Sequence, residues 1–166
     1  MEFLTLALAL AVALVGGYTD VRAGKVYNML TYPAMLAGGG LHLVRTWPQF
    51  DGLIFSLQGV AVALGLLLVP YLVRGIGGGD VKLLAAVGSL VGPLATFWLM
   101  LFGGLAGGIL ALALLARRGQ LTVTLFSLAL SPRASLGLVA RGKSDFPFAV
   151  TIPLGLSLWL FTSRLA

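Results

Sequence analysis

Six apolar stretches, at residues 3–17, 28–44, 53–73, 81–92, 94–116 and 146–162, are separated and flanked by segments that hold every charged residue except Lys82. A chain divided in this way cannot fold around a water-soluble core, because too few polar side chains remain to cover a wet surface. Charged residues make up 10% of the chain and mean hydropathy is +1.04, whereas soluble domains average about 25% charged. The pattern predicts an all-α integral membrane protein with six transmembrane helices, for which the bilayer is the solvent. One polytopic domain over 1–166 is expected at this length. The 23 glycines point to closely packed helices.

The charges also predict an orientation. With six spans and the N-terminus outside, Arg22, Lys25, Arg74, Lys82, Arg117, Arg118, Arg133, Arg141 and Lys143 fall on one side, against Arg45 and Arg164 on the other. That bias assigns loops 18–27, 74–80 and 117–145 to the cytoplasm. It also accounts for the net charge of +6 as a topology signal, so no nucleic-acid partner is expected and membrane lipids are. Trp47, Trp98 and Trp159 then fall near the outer helix ends, where an interfacial belt belongs. The first run resembles a signal peptide, but it opens with Glu2 and its basic residues follow it, as in a retained helix. Residues 121–130 are apolar yet too short to span, and between Arg118 and Arg133 they read as an interfacial segment.

Cysteine is absent and His42 is the single histidine, which excludes thiol nucleophiles and metal centres built from cysteine or histidine clusters. Chemistry is left to the acids. Glu2 and Asp51 map to the outer side as solvated loop carboxylates, while Asp20, Asp80 and Asp145 share the cytoplasmic side. The fourth run is short: twelve residues cover only about 18 Å, so Asp80 is expected to be recessed into the membrane. An intramembrane carboxylate costs roughly 2.5 to 3.5 kcal/mol on insertion scales and is a functional candidate by default. Two such acids held together share one proton, so that one polarises a carbonyl while the other activates water. An N-cap before Phe146 and Pro147 accounts for Asp145. It does not account for Gly77, Gly78 and Gly79 before Asp80, which leave backbone open to an extended peptide. Asp20, just beyond the first run, reads equally well as a surface charge near Arg22.

The segment Asp20-Val21-Arg22-Ala23-Gly24-Lys25-Val26-Tyr27-Asn28 resembles the first signature of the prepilin peptidases, in which an Asp is followed two positions on by a basic residue and the motif ends Ile-Pro-Asn. Gly77-Gly78-Gly79-Asp80-Val81-Lys82 resembles their second signature, the Gly-x-Gly-Asp motif of an aspartic protease family. The likeness extends to the six-helix layout and the closing stretch 147–155. It implies a peptidase of a prokaryotic cytoplasmic membrane that removes the leader of type IV prepilin-like precursors, with Asp20 and Asp80 as the dyad. Substrate contacts are expected from Gly77, Gly78, Gly79, Arg22 and Lys82, with snorkelling to lipid phosphate the alternative for the two cations. No metal or other cofactor is called for, since acid and base are both carboxylates. Tyr27 stands where the family has proline, which bears on the turn into the second helix. The cysteine-bearing insertion of longer, methylating members is absent, which resembles the short Tad-type or archaeal form and implies cleavage without N-methylation.

Among the remaining residues, Asn28 reads as a helix cap, His42 as packing, and the Gly103, Gly104, Gly107 and Gly108 set as helix contacts, within the chain or in a homo-oligomer. Two rivals stand beside the peptidase. A protease cutting within transmembrane helices carries Tyr-Asp in the partner helix, but Thr19 precedes Asp20 here. A small proton- or cation-coupled transporter needs interrupted helices in both halves, and one glycine-broken acidic segment is present.

Overall fold

The computed structural model describes residues 2–72, 76–117, 149 and 151–165. It is all-α, with six helices among those residues: α1 Glu2–Ala23, α2 Asn28–Thr46, α3 Asp51–Leu72, α4 Gly78–Val91, α5 Pro93–Arg117 and α6 Thr151–Leu165. Two of them, α1 from Phe3 and α3, are long and apolar enough to cross a membrane. Large apolar side chains such as Leu36, Val44, Leu94 and Leu105 face outward. A surface of that kind is consistent with a lipid surrounding.

The short α4 lies at the centre. Its sequence is apolar on every side from Leu83 to Leu90, apart from Gly88 and Ser89, and every residue of that stretch is buried. A helix apolar all round is stable only when neighbours enclose it, and here α1, α2 and α3 do so. The three crossings depend on small residues. A Cβ on Gly59 of α3 would collide with the Gly88 carbonyl of α4, one on Gly38 of α2 would press on the Ser89 backbone, and one on Gly16 of α1 would enter Leu83. The second pair of layers is simpler: α5 packs on α3 and on α6, with Gly103 against Thr151 and Gly155 against Leu99.

The end of α4 is fixed twice over. Gly92 adopts φ +83° and ψ 178° and donates its N–H to Gly88 at 2.9 Å, a conformation used essentially by glycine alone and costing another residue about 1–3 kcal/mol. Phe55 occupies the space where a Gly92 Cβ would go. Pro93 then starts α5 in a helical position that needs no N–H partner. His42 reaches the same end from α2, its Nε2 donating to the Leu90 carbonyl at 2.9 Å while its ring meets Phe55 edge-on. It thereby satisfies one of the carbonyls that a helix C-terminus leaves open, the packing role expected of it.

Several boundaries differ from the sequence reading. Helix α1 continues past residue 17 to Ala23, because Tyr18, Thr19 and Asp20 interrupt the apolar pattern without breaking the helix. Its terminator is Gly24, at φ +60° with its N–H on the Asp20 carbonyl at 2.7 Å. Helix α4 starts at Gly78 and α6 at Thr151. Trp159 lies in the middle of α6 against the core and not at its outer end. The interfacial segment 121–130 and Asp145 lie outside the described residues.

Candidate active site

Helices α1 and α4 determine where the two acids meet. Gly16 of α1 fits over Leu83 of α4. Asp20 follows Gly16 by four residues and Asp80 precedes Leu83 by three, so each acid lies one turn along on the face that makes the contact. The helices run antiparallel there, which carries Asp20 and Asp80 to the same end of the bundle. Asp80 is 8% exposed and Asp20 is half-buried. The charge of Asp20 is felt at Asp80, and the backbone amide of Ala149 faces both carboxyls. The Gly77 amide also faces Asp80, yet Asp80 Oδ1, buried, has no hydrogen-bond partner among the described residues. A buried acceptor without a partner is costly, and this one is part of the pair of acids.

The glycine run is only partly the open strip that the sequence suggested. Gly77 is extended, at φ −75° and ψ 149°, and exposed. Gly78 and Gly79 already belong to the first turn of α4, where helical N–H groups lack intrahelical partners. Gly79 is small for a packing reason too, since a Cβ there would come within 3.2 Å of the Val26 side chain.

The two cations expected to contact substrate are engaged within the chain. The Arg22 guanidinium lies 5.5 Å from the centre of the Tyr18 ring one turn earlier. Lys82 Nζ donates to Asn28 Oδ1 at 3.0 Å and lies 5.7 Å from the Tyr32 ring. Asn28 is therefore not the cap it was expected to be. The capping position belongs to Tyr27, which makes no side-chain cap bond.

Tyr27 has φ −78° and ψ 134°, within the range proline imposes, about −65 ± 15°. Its exposed side chain makes a direct test simple. Tyr27→Pro is expected to fold and to keep or raise the melting temperature in detergent, by an amount equivalent to about 0.4–1 kcal/mol. A clear fall in melting temperature would show that the turn into α2 is not proline-like.

The family model for the type IV leader peptidase family matches residues 7–112, a stretch that contains both aspartates. The chain belongs to the type IV leader peptidase family. A curated relative, prepilin peptidase EppA of Methanothermobacter thermautotrophicus, is 32% identical over 94 residues, which is 55% of this chain. Those residues span 24% of that relative, so the chain aligns with about a quarter of its length. No solved structure matches. Within this chain the sequence singled out Asp20, Asp80, Gly77, Gly78, Gly79, Arg22 and Lys82, and all of them lie at one end of the bundle. Sequence reading missed Ala149 and Val26. Ala149 takes part through its backbone amide, which no residue type advertises, and Val26 is one apolar residue among many.

Proposed function

We propose that this chain is a membrane-embedded aspartic endopeptidase that removes the N-terminal leader from type IV prepilin-like precursors, with Asp20 and Asp80 as its acid pair. The observation that carries the reading is the convergence of two acids from separate helix ends on one buried amide, that of Ala149, in a chain with only five acidic residues. In the reaction, the ionised carboxyl takes a proton from water as its oxygen attacks the scissile carbonyl, and the protonated carboxyl donates to the carbonyl oxygen. Collapse of the tetrahedral intermediate passes a proton to the leaving nitrogen and yields a free acid and a free amine. The orphaned Asp80 Oδ1 is suited to the water or to the substrate oxygen.

The finer features of the reading are these. All six helices cross the membrane as one domain with the N-terminus outside, so the acid pair faces the cytoplasm, in agreement with the excess of basic residues at that end. Gly77 offers exposed backbone to an extended substrate, with the first amides of α4 beside it, and Arg22 stands at the rim. The apolar helix of a precursor lies against the bundle and delivers its leader junction to the acids. The product amine is left unmethylated.

Purified protein in detergent, incubated with a panel of type IV prepilins, is expected to release the leader from at least one. Mass spectrometry of that product should show an unmodified N-terminus. A panel left uncut overturns the peptidase reading, and a methylated product overturns its last clause.

A further inference from the structure

We propose that Asn28 and Lys82 are a positioning pair that clasps the corner between α1 and α2 onto the start of α4 and so sets the approach of the two acids. The proposal rests on the peptidase reading. The corner itself is weakly constrained: between Gly24, which ends α1, and Tyr27, whose carbonyl receives the first amides of α2, residues 25–27 lie outside any helix. What holds this corner to α4 is a set of contacts between the same two segments. Val26 lies so near Gly79 that a Cβ added there would come within 3.2 Å of it, and Lys82 donates to Asn28 at 3.0 Å. Tyr32, four residues after Asn28 and on the same face of α2, carries the lysine charge over its ring. The Lys82 ammonium is thus met from two sides, by Asn28 and by Tyr32.

The two partners come from the two different signature segments of the sequence, each two to eight residues from its aspartate. Their bond is a direct link between the chain stretches that carry Asp20 and Asp80. Neither side chain is hydrogen-bonded to the acids, so their effect passes through the backbone of the corner. A displacement of about 1 Å in reacting groups can cost about a hundredfold in rate, which makes a clasp at this position consequential.

Asn28→Ala and Lys82→Met are each expected to lower kcat by about tenfold to hundredfold, with KM changed less than about twofold, and the double variant is expected to be no worse than the poorer single. Asn28→Asp and Lys82→Arg, which keep an acceptor and a donor, should recover most of the rate. A rise in KM for Lys82→Met alone, with Asn28→Ala normal, would make the lysine a substrate contact and overturn the clasp.

Because the natural chain has no cysteine, a Val26→Cys, Gly79→Cys pair gives a readout independent of activity. Its oxidative cross-linking should slow when Asn28→Ala or Lys82→Met is added, and an unchanged rate in folded protein would overturn the proposal. If the wild type cuts no precursor while cross-linking still depends on Asn28, the peptidase reading fails and the clasp stands. If the wild type cuts and both clasp variants cut equally fast, the clasp alone fails.

Discussion

Asp20→Asn and Asp80→Asn are each expected to reduce leader cleavage by at least a thousandfold, within the range of about 10²–10⁴ that a single positioned acid or base supplies and with both functions lost together. Neither half of the pair works alone. A carboxamide can neither take the proton from water nor pass one to the carbonyl, and the surviving carboxyl no longer has a partner with which to share a proton. Folding should be spared. Asn matches Asp in shape, Asp80 is 8% exposed with an Oδ1 that has no partner among the described residues, and a neutral group there costs less to desolvate than a charged one. The pair of results, lost cleavage with an equal or higher melting temperature in detergent, separates chemistry from structure. Cleavage above a tenth of the wild-type rate in either variant would remove that aspartate from the mechanism. Asp145→Asn should cut well, and its failing as badly as the other two would mean that the acids had been paired wrongly.

The second large effect concerns stability. Gly59→Ala is expected to destabilise the bundle by about 3 kcal/mol or more, at the upper end of what overpacking costs. The added carbon would collide with the Gly88 carbonyl, which is backbone and cannot rotate away, and Gly88 itself has the Gly59 carbonyl and the Thr96 hydroxyl against it. Helix α3 would have to move off α4 along the whole crossing. The comparison is Gly65→Ala on the same helix, where nothing lies within 4 Å of the added carbon. That variant should melt at the wild-type temperature or slightly above it. Melting followed by size-exclusion in detergent reads both, and equal behaviour of the two variants would refute a backbone contact between α3 and α4.

What the sequence made legible follows from chemistry. Asp20 and Asp80 stood out because acids are costly in so apolar a chain, and the Gly-x-Gly-Asp pattern with the first signature paired them. The apolar runs located all six helices. Their ends were less legible. Tyr18, Thr19 and Asp20 are polar enough to end a hydropathy run, but the backbone stays helical until Gly24. That difference matters, because it places Asp20 on the last turns of a helix and not in a loop. The tight crossing at Gly59 and Gly88 was not singled out because neither has another glycine beside it in sequence, unlike those on α5. The obvious small-residue set on α5 divides instead, with Gly103 packed on Thr151 while Gly104 and Gly108 meet nothing within 4 Å. The bond between Lys82 and Asn28 joins residues 54 positions apart, and no local pattern announces such a pairing.

The part played by Ala149 has a consequence for biogenesis. The ribosome completes the two aspartates early, but the amide that faces both arrives with a segment made only after α5. A nascent chain that stalls before that point holds the two acids without their common donor. On the proposed reading, proteolytic competence is therefore a late event in the making of the chain.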